Sequence, residues 1–287
     1  MANKAYLEIT NVCNLRCGFC HGTKRAPAFI TEAQFTVAAK KLRPFCDYLY
    51  FHLMGEPLLH PLLPLFFDIA ADLGFKVIIT TNGTLLKEKA EVLLKAKSLH
   101  KVSVSLHAYE SNVLPYPLEV YLENCFEFCD KAAKQGIIAV MRLWNIGGKE
   151  VLNDRIVGAI HRFFDGENPA AWEKRFSGQR IRERLYLEWG ELFEWPDLSL
   201  PVVGNRHGCY GLRDQLGVLC DGTVVPCCLD AEGAAALGNI FNEKLEDILS
   251  SPKAMAVKEG FKTRKITEPL CMRCGFAYGR FGEGNNR

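Results

Sequence analysis

Six short apolar runs punctuate the first two-thirds of the chain, at Tyr6–Thr10, Tyr48–Leu53, Lys76–Thr81, Lys101–His107, Ile137–Trp144 and Leu185–Trp189. Their length and their β-branched and aromatic content predict strands. Between them, apolar residues recur at helical spacing over Thr31–Leu42, Leu62–Leu73, Leu85–Ala96, Leu118–Gln135 and Lys149–Phe164. Thr31 is a helix-start signal, and Gly74 and Gly136 are stop signals placed just before the next strand. Six βα units of this kind predict an α/β fold with a parallel sheet and right-handed crossovers.

Parallel strands buried on both faces read as continuous apolar runs. Several of these do not. In Val102-Ser103-Val104-Ser105-Leu106-His107, alternation places Ser103, Ser105 and His107 on one face. Similar polar sets are Glu8 with Thr10, Tyr50 with His52, Thr80 with Asn82, Arg142 with Trp144, and Tyr186 with Glu188. Two readings fit: strand ends that meet solvent, or the inner wall of an open barrel around a polar cavity. Sites in β/α barrels gather at the C-terminal strand ends, where His52, Asn82, His107 and Arg142 would sit.

From about Pro196 the alternation stops, and short runs lie between Gly, Pro and Cys. Asp221-Gly222 between apolar residues is a hairpin signal. A helix is expected from about Asn242 to Glu259, then a polar tail from Gly282 to Arg287. The expected architecture is a partial (β/α)6 barrel over residues 1–199, with a small C-terminal β-hairpin-plus-helix domain over 200–287. The basic stretch Asp165–Arg184 reads as a solvated charged helix or loop, or as a receiver for an acidic partner.

A chain of 287 residues with 48% hydrophobic and 24% charged positions can bury a full core. Its net charge of +2 sets up no large basic field, so neither nucleic acid nor an anionic membrane is expected as a partner. No stretch is apolar enough to predict a membrane span. Twelve cysteines are many for this length. With no signal-peptide pattern at the N-terminus, the expected location is cytoplasmic, where thiols stay reduced and turn to metal.

Cys13, Cys17 and Cys20 fall within eight residues, directly after the first strand. Thiolate is the ligand of iron–sulfur clusters. A closed cluster wants four cysteines, and three would leave one iron open. A zinc site completed by His21 is the alternative, although zinc ligands usually come as two separated pairs.

Cys-x3-Cys-x2-Cys with an aromatic before the last cysteine resembles the signature of the radical S-adenosylmethionine (SAM) superfamily. The resemblance runs from residue 5 to about 190. It implies a [4Fe-4S] cluster whose open iron binds SAM, and reductive cleavage to a 5′-deoxyadenosyl radical that takes a substrate hydrogen. It also implies an external electron donor such as flavodoxin or ferredoxin. Phe19 matches the aromatic near the adenine. Gly55-Glu56-Pro57 matches the end of the motif that holds the cofactor's amino group, with Met54 where a first glycine is common. Thr80-Thr81-Asn82-Gly83 resembles the turn after strand three. Ser105 and Arg142 stand where the family's ribose and carboxylate contacts are found.

Cys209, Cys227 and the late pair Cys271 and Cys274 could converge on one metal, either a saturated [4Fe-4S] cluster or structural zinc. The spacing resembles the auxiliary-cluster domains of radical SAM enzymes, called SPASM, or twitch in the shortened form. The thirteen residues after Cys274 hold no further cysteine, so the resemblance is to the one-cluster form of the 2-deoxy-scyllo-inosamine dehydrogenase type. Such a cluster implies an acceptor for the second electron of an oxidation. Cys46, Cys125 and Cys129 read as buried packing, while Cys220 and Cys228 are left over, Cys228 with a weak claim as an extra ligand or hydrogen-atom donor. His107, His52 and Glu188 are candidates for the base that takes the hydroxyl proton.

The expected activity is therefore a dehydrogenase-type oxidation of a small molecule. A maturase that modifies a ribosomal peptide is the alternative, although the chain begins almost at strand one, with no room for a leader-binding domain. A non-enzymatic iron–sulfur or zinc protein is the third class.

Overall fold

The computed structural model describes residues 4–164 and 172–282. Strands β1 (Lys4–Leu7), β2 (Tyr48–Tyr50), β3 (Lys76–Thr81), β4 (Leu99–Ser105) and β5 (Ile138–Ile146) alternate with helices α1 (Glu32–Leu42), α2 (Leu63–Asp72), α3 (Leu86–Lys95), α4 (Leu118–Lys134) and α5 (Asn153–Phe163). Local chemistry explains the boundaries. Thr31 caps α1 in a reciprocal box with Gln34. Gly74 and Gly136 end their helices at φ +75° and +87°, a region where glycine carries no Cβ penalty.

After α5 the chain departs from the βα pattern. Strands β6 (Glu173–Arg175) and β7 (Gly178–Arg182) form an antiparallel hairpin, and β7 pairs antiparallel with β8 (Leu185–Glu191). The described part of the basic stretch is thus a sheet edge, not a charged helix or loop; residues 165–171 lie outside the described residues. Buried Trp172 and Ile181 anchor it, an apolar signal that the surrounding charge obscured.

β1 to β5 and then β8 lie side by side and parallel, giving the six strands of a partial barrel. Leu7, Leu49, Val77, Ile79, Val102, Val104, Met141 and Leu143 are buried in one core with Phe35, Phe66, Phe67, Tyr121 and Phe126 from the helices. The alternate residues face inward. Glu8, Thr10 and Ser103 are at most 1% exposed, so this polar set lines an interior and does not meet solvent.

The C-terminal region enters the same sheet. β9 (Gln215–Val218) runs parallel to β1, with Lys4 opposite Gln215 and Leu7 opposite Val218. β10 (Thr223–Val225) and β11 (Gly238–Asn239) continue antiparallel from it. Gly222, at φ +85°, makes the expected turn between β9 and β10. The single helix expected over 242–259 is two, α6 (Leu245–Ser250) and α7 (Pro252–Thr263). Pro252 cannot continue α6 and forces Ser251 out of helical geometry, so Ser251 caps α7 instead. A last short helix, α8 (Gly275–Phe281), follows the late cysteine pair.

One buried ion pair joins these parts. The Glu8 carboxylate, 0% exposed, accepts from Arg25 Nη2 (2.8 Å), the Met54 amide (3.1 Å) and the Cys220 amide (3.2 Å). Removing one partner of such a pair strands the other without solvation. Glu8→Ala is expected to lower unfolding free energy by about 3–5 kcal/mol, read by urea denaturation. Wild-type stability would show that the pair does not join the segments.

Candidate functional site: a three-cysteine loop over a polar barrel

The chain leaving β1 is clamped before and after the first cysteines. Thr10 bridges antiparallel to Phe29. Thr10 Oγ1 donates to Ala28 O (2.8 Å), and the Asn11 amide donates to Ala26 O and accepts from Ala28 N–H (2.9 and 2.7 Å). The loop between is thus held at both feet while Cys13 and Cys20 stay exposed. Asn82 reaches Asn14 Oδ1 (2.8 Å), and Asn112 accepts from the Arg16 amide and donates to Cys17 Sγ (3.0 and 3.1 Å). Burial pushes the Cys13 thiol up and the Cys17 thiol to about 11, and the neighbouring thiols add to both. The raised thiols of Cys13 and Cys17 would be relieved by a cationic centre shared with Cys20, and Cys13 and Cys20 are exposed to receive one.

Gly55 carries the loop's underside. At φ +78°, a Cβ there would stand 2.3 Å from Thr10 O, so only glycine lets the β2 turn meet the backbone leading into the cysteines. Glu56 follows, 2% exposed; its carboxylate accepts from Asn82 N–H (2.7 Å) and Leu58 N–H (3.1 Å). Burial pushes this carboxyl up to about 7. It therefore ties the β2 turn to the β3 turn, leaving its remaining lone pairs for a further donor. Tyr121 from α4 donates to Asn82 O (2.7 Å) and holds the β3 turn from outside.

Across the barrel, Arg142 Nε pairs with Glu188 Oε2 (2.9 Å), and Nη1 donates to Thr80 (3.3 Å). Trp144 lies under the Arg142 guanidinium. His107 sits just past the end of β4, 4% exposed, with its ring 4.6 Å from that of Phe19. Loss of hydration brings its pKa down to about 4, and loss of hydration with the Arg142 charge brings His52 to about 3. Both imidazoles are neutral at pH 7. His52 packs against Tyr6 and Tyr50, its Nδ1 buried without a partner. Ser105 lies half-buried at the end of β4, beside Arg142 in register.

Cys209, Cys227, Cys271 and Cys274 come from the loop before β9, the end of the β10 hairpin and the turn before α8. Burial raises each thiol, and Cys227 also feels the charges of Cys209, Cys271 and Cys274. Cys227 is thus within charge range of the other three, while the described residues hold no group of three or more His, Cys, Asp or Glu side chains close enough to grip one metal ion. Cys228 packs against the hydrophobic cluster that holds Tyr6 of the inner wall. Cys46, Cys125 and Cys129 are core residues, and the Cys220 thiol donates to Glu8 O (3.1 Å).

The family model described as the radical SAM superfamily matches residues 7–156. The chain belongs to the radical SAM superfamily. A second model, SPASM, an iron-sulfur cluster-binding domain, matches residues 209–275. The chain is similar to the antilisterial bacteriocin subtilosin biosynthesis protein AlbA of Bacillus subtilis, 24% identical across 96% of this chain and 66% of that protein. It spans only 31% and 34% of two further relatives. A GTP 3′,8-cyclase of Chlorobaculum tepidum is 35% identical over 93% of this chain and 92% of that one. Among solved structures, BtrN in complex with AdoMet and 2-DOIA superposes with TM-score 0.56 at 19% identity, covering 96% of this chain and 93% of its own. Membership implies a SAM-binding [4Fe-4S] cluster and auxiliary iron–sulfur binding; both family models carry iron–sulfur chemistry, not zinc. No helix among the described residues is long and apolar enough to cross a membrane.

Sequence reading missed Arg25, Asn112 and Trp195. Trp195 donates to Phe19 O (3.2 Å) and stacks near His21, covering the loop's outer side. None of the three lies in a periodic segment, so no local pattern marks them.

Two outcomes follow from this geometry. Gly55→Ala is expected to cost the reconstituted protein about half of its roughly eight irons, by colorimetric iron counting; full iron would show that the close approach is dispensable. The histidines set an acid limit. Their folded pKa values lie below the ordinary 6.5, so the unfolded chain takes up protons first as pH falls, and stability present above 6.5 is lost toward 4. Glu56, raised to about 7, works in the opposite sense between 7 and 4.5. The histidine part is therefore read by difference: His52→Asn should lose about 1 kcal/mol less than wild type between pH 6.5 and 5.5. Equal losses would contradict a neutral, buried His52.

Proposed function

We propose that this chain is a radical SAM dehydrogenase that oxidises a hydroxylated small molecule inside the barrel. The observation that carries the reading is the placement of the second cysteine set. Cys228, next to Cys227, packs against the hydrophobic cluster that holds Tyr6 on the inner wall, and β9 pairs directly with β1. An electron outlet beside the substrate cavity is what a two-electron oxidation by a one-electron initiator requires.

In this proposal Cys13, Cys17 and Cys20 hold the SAM-binding [4Fe-4S] cluster, and Cys209, Cys227, Cys271 and Cys274 hold a single auxiliary one. When bound, the first supplies reductive cleavage of SAM for hydrogen abstraction, and the second a sink for the remaining electron. The residues around them bind and orient. Glu56 and the backbone at Gly55 receive the cofactor's amino group, Arg142 its carboxylate, Ser105, Thr80 and Asn82 its polar edge, and Phe19 its adenine. A charge-assisted contact to Glu56 suits an ammonium.

Of the three candidate bases, Glu188 is the best placed. It is partly open to the cavity, and Arg142 orients it on one oxygen. His52 and His107, drawn down to about 3 and about 4, are neutral at pH 7 and suit hydrogen bonds to a substrate hydroxyl.

Peptide maturation is the second reading, favoured by the likeness to AlbA and by the exposed edge strand β6. That edge carries Lys174 and Arg175 beside Phe176, which is 96% exposed. An extended acidic peptide could add to such an edge as a strand.

The test is anaerobic reconstitution, followed by turnover with dithionite, SAM and a panel of 2-DOIA, a ribosomal precursor peptide and GTP. Consumption of the polyol with equimolar 5′-deoxyadenosine is expected, and consumption of the peptide or GTP alone would overturn the dehydrogenase reading. Cys271→Ala should still cleave SAM but form no oxidised product; full turnover would remove the electron-outlet role.

A further inference from the structure

We infer that Asn112 tunes the reduction potential of the SAM-binding cluster through a hydrogen bond to the Cys17 sulfur. This rests on superfamily membership and on Cys17 as a ligand, not on the dehydrogenase reading. Asn112 lies in the loop after β4, 95 residues along the chain from Cys17, and its Nδ2 stands 3.1 Å from Cys17 Sγ. The amide cannot be turned round. Its Oδ1 accepts from the Arg16 backbone N–H (3.0 Å), and Nδ2 also donates to Ala108 O (2.8 Å). A flipped amide would set oxygen against the Ala108 carbonyl and NH2 against the Arg16 N–H. With one hydrogen given to Ala108, the other is aimed at the sulfur.

The contact is the shortest donor contact to any of the three thiols. Asn82 Nδ2 gives one hydrogen to Asn14 and the other, over 3.9 Å, to Cys13 Sγ, which also accepts from the Leu15 amide at 3.5 Å. Reducing an iron–sulfur cluster adds an electron whose charge spreads partly onto the ligand sulfurs. A donor held at one of them stabilises the reduced form more than the oxidised form and raises the potential. Asn112 is thus a positioning residue that eases delivery of the initiating electron from a weak donor.

The test is an EPR-monitored potentiometric titration of the reconstituted two-cluster protein without substrate, with the auxiliary cluster as internal reference. Asn112→Ala should move the midpoint of the SAM-binding cluster to lower potential and leave the auxiliary midpoint in place. Asn112→Gln, which keeps the amide on a longer stem, should fall between Ala and wild type. An unchanged midpoint at full iron content would overturn the proposal, as would an equal shift of both clusters. So would loss of the three-cysteine cluster from both variants, since Asn112 would then serve cluster retention instead of potential.

Discussion

The arrangement depends on a carboxylate that has no access to water. Glu8 stands at the end of β1 with 0% exposure, and a charge so placed must be met by donors from the protein itself. They come from three distant segments: Arg25 beyond the cysteine loop, the Met54 amide at the β2 turn, and the Cys220 amide in the C-terminal hairpin. Arg25 in turn donates to Ala231 O (2.8 Å). Satisfying one buried charge therefore fixes the loop that carries the first cysteines against the region that carries the second set.

That constraint reconciles exposure with order at the cysteine loop. Thiols that receive a cluster must be reachable, yet a loop free to wander would lose entropy on each loading. The feet of the loop are bound through Thr10 and Asn11, and its crest through Asn14 and Asn112. Cys13 and Cys20 stay exposed, and the backbone that carries them is held at both ends.

Inside the barrel, burial sorts the titratable groups into distinct tasks. The two histidines are held neutral, the Arg142–Glu188 pair keeps opposite charges together, and the Glu56 carboxyl is engaged by backbone amides. The barrel interior is polar, with its charges met by partners. The resemblance read from the cysteine spacing led to the same superfamily as the family models.

What the sequence determined by itself were the features encoded over a few residues. The period of apolar positions marked five helices and six parallel strands, because each element must turn one face to the core. The loop Cys13 to Cys20, Gly55 and the Asp221-Gly222 turn were legible because their chemistry depends on local spacing or on glycine's backbone freedom. Tertiary structure decided what joins residues far apart. Cys220 and Glu8 are 212 positions apart, and Asn112 and Cys17 are 95 apart. No local pattern announces either contact. The edge hairpin β6–β7 was hidden because its charged residues face solvent while Trp172 and Ile181 carry the anchoring. Pairing of β9 with β1 was decided by the open edge of the sheet, an edge that exists only once the barrel has formed.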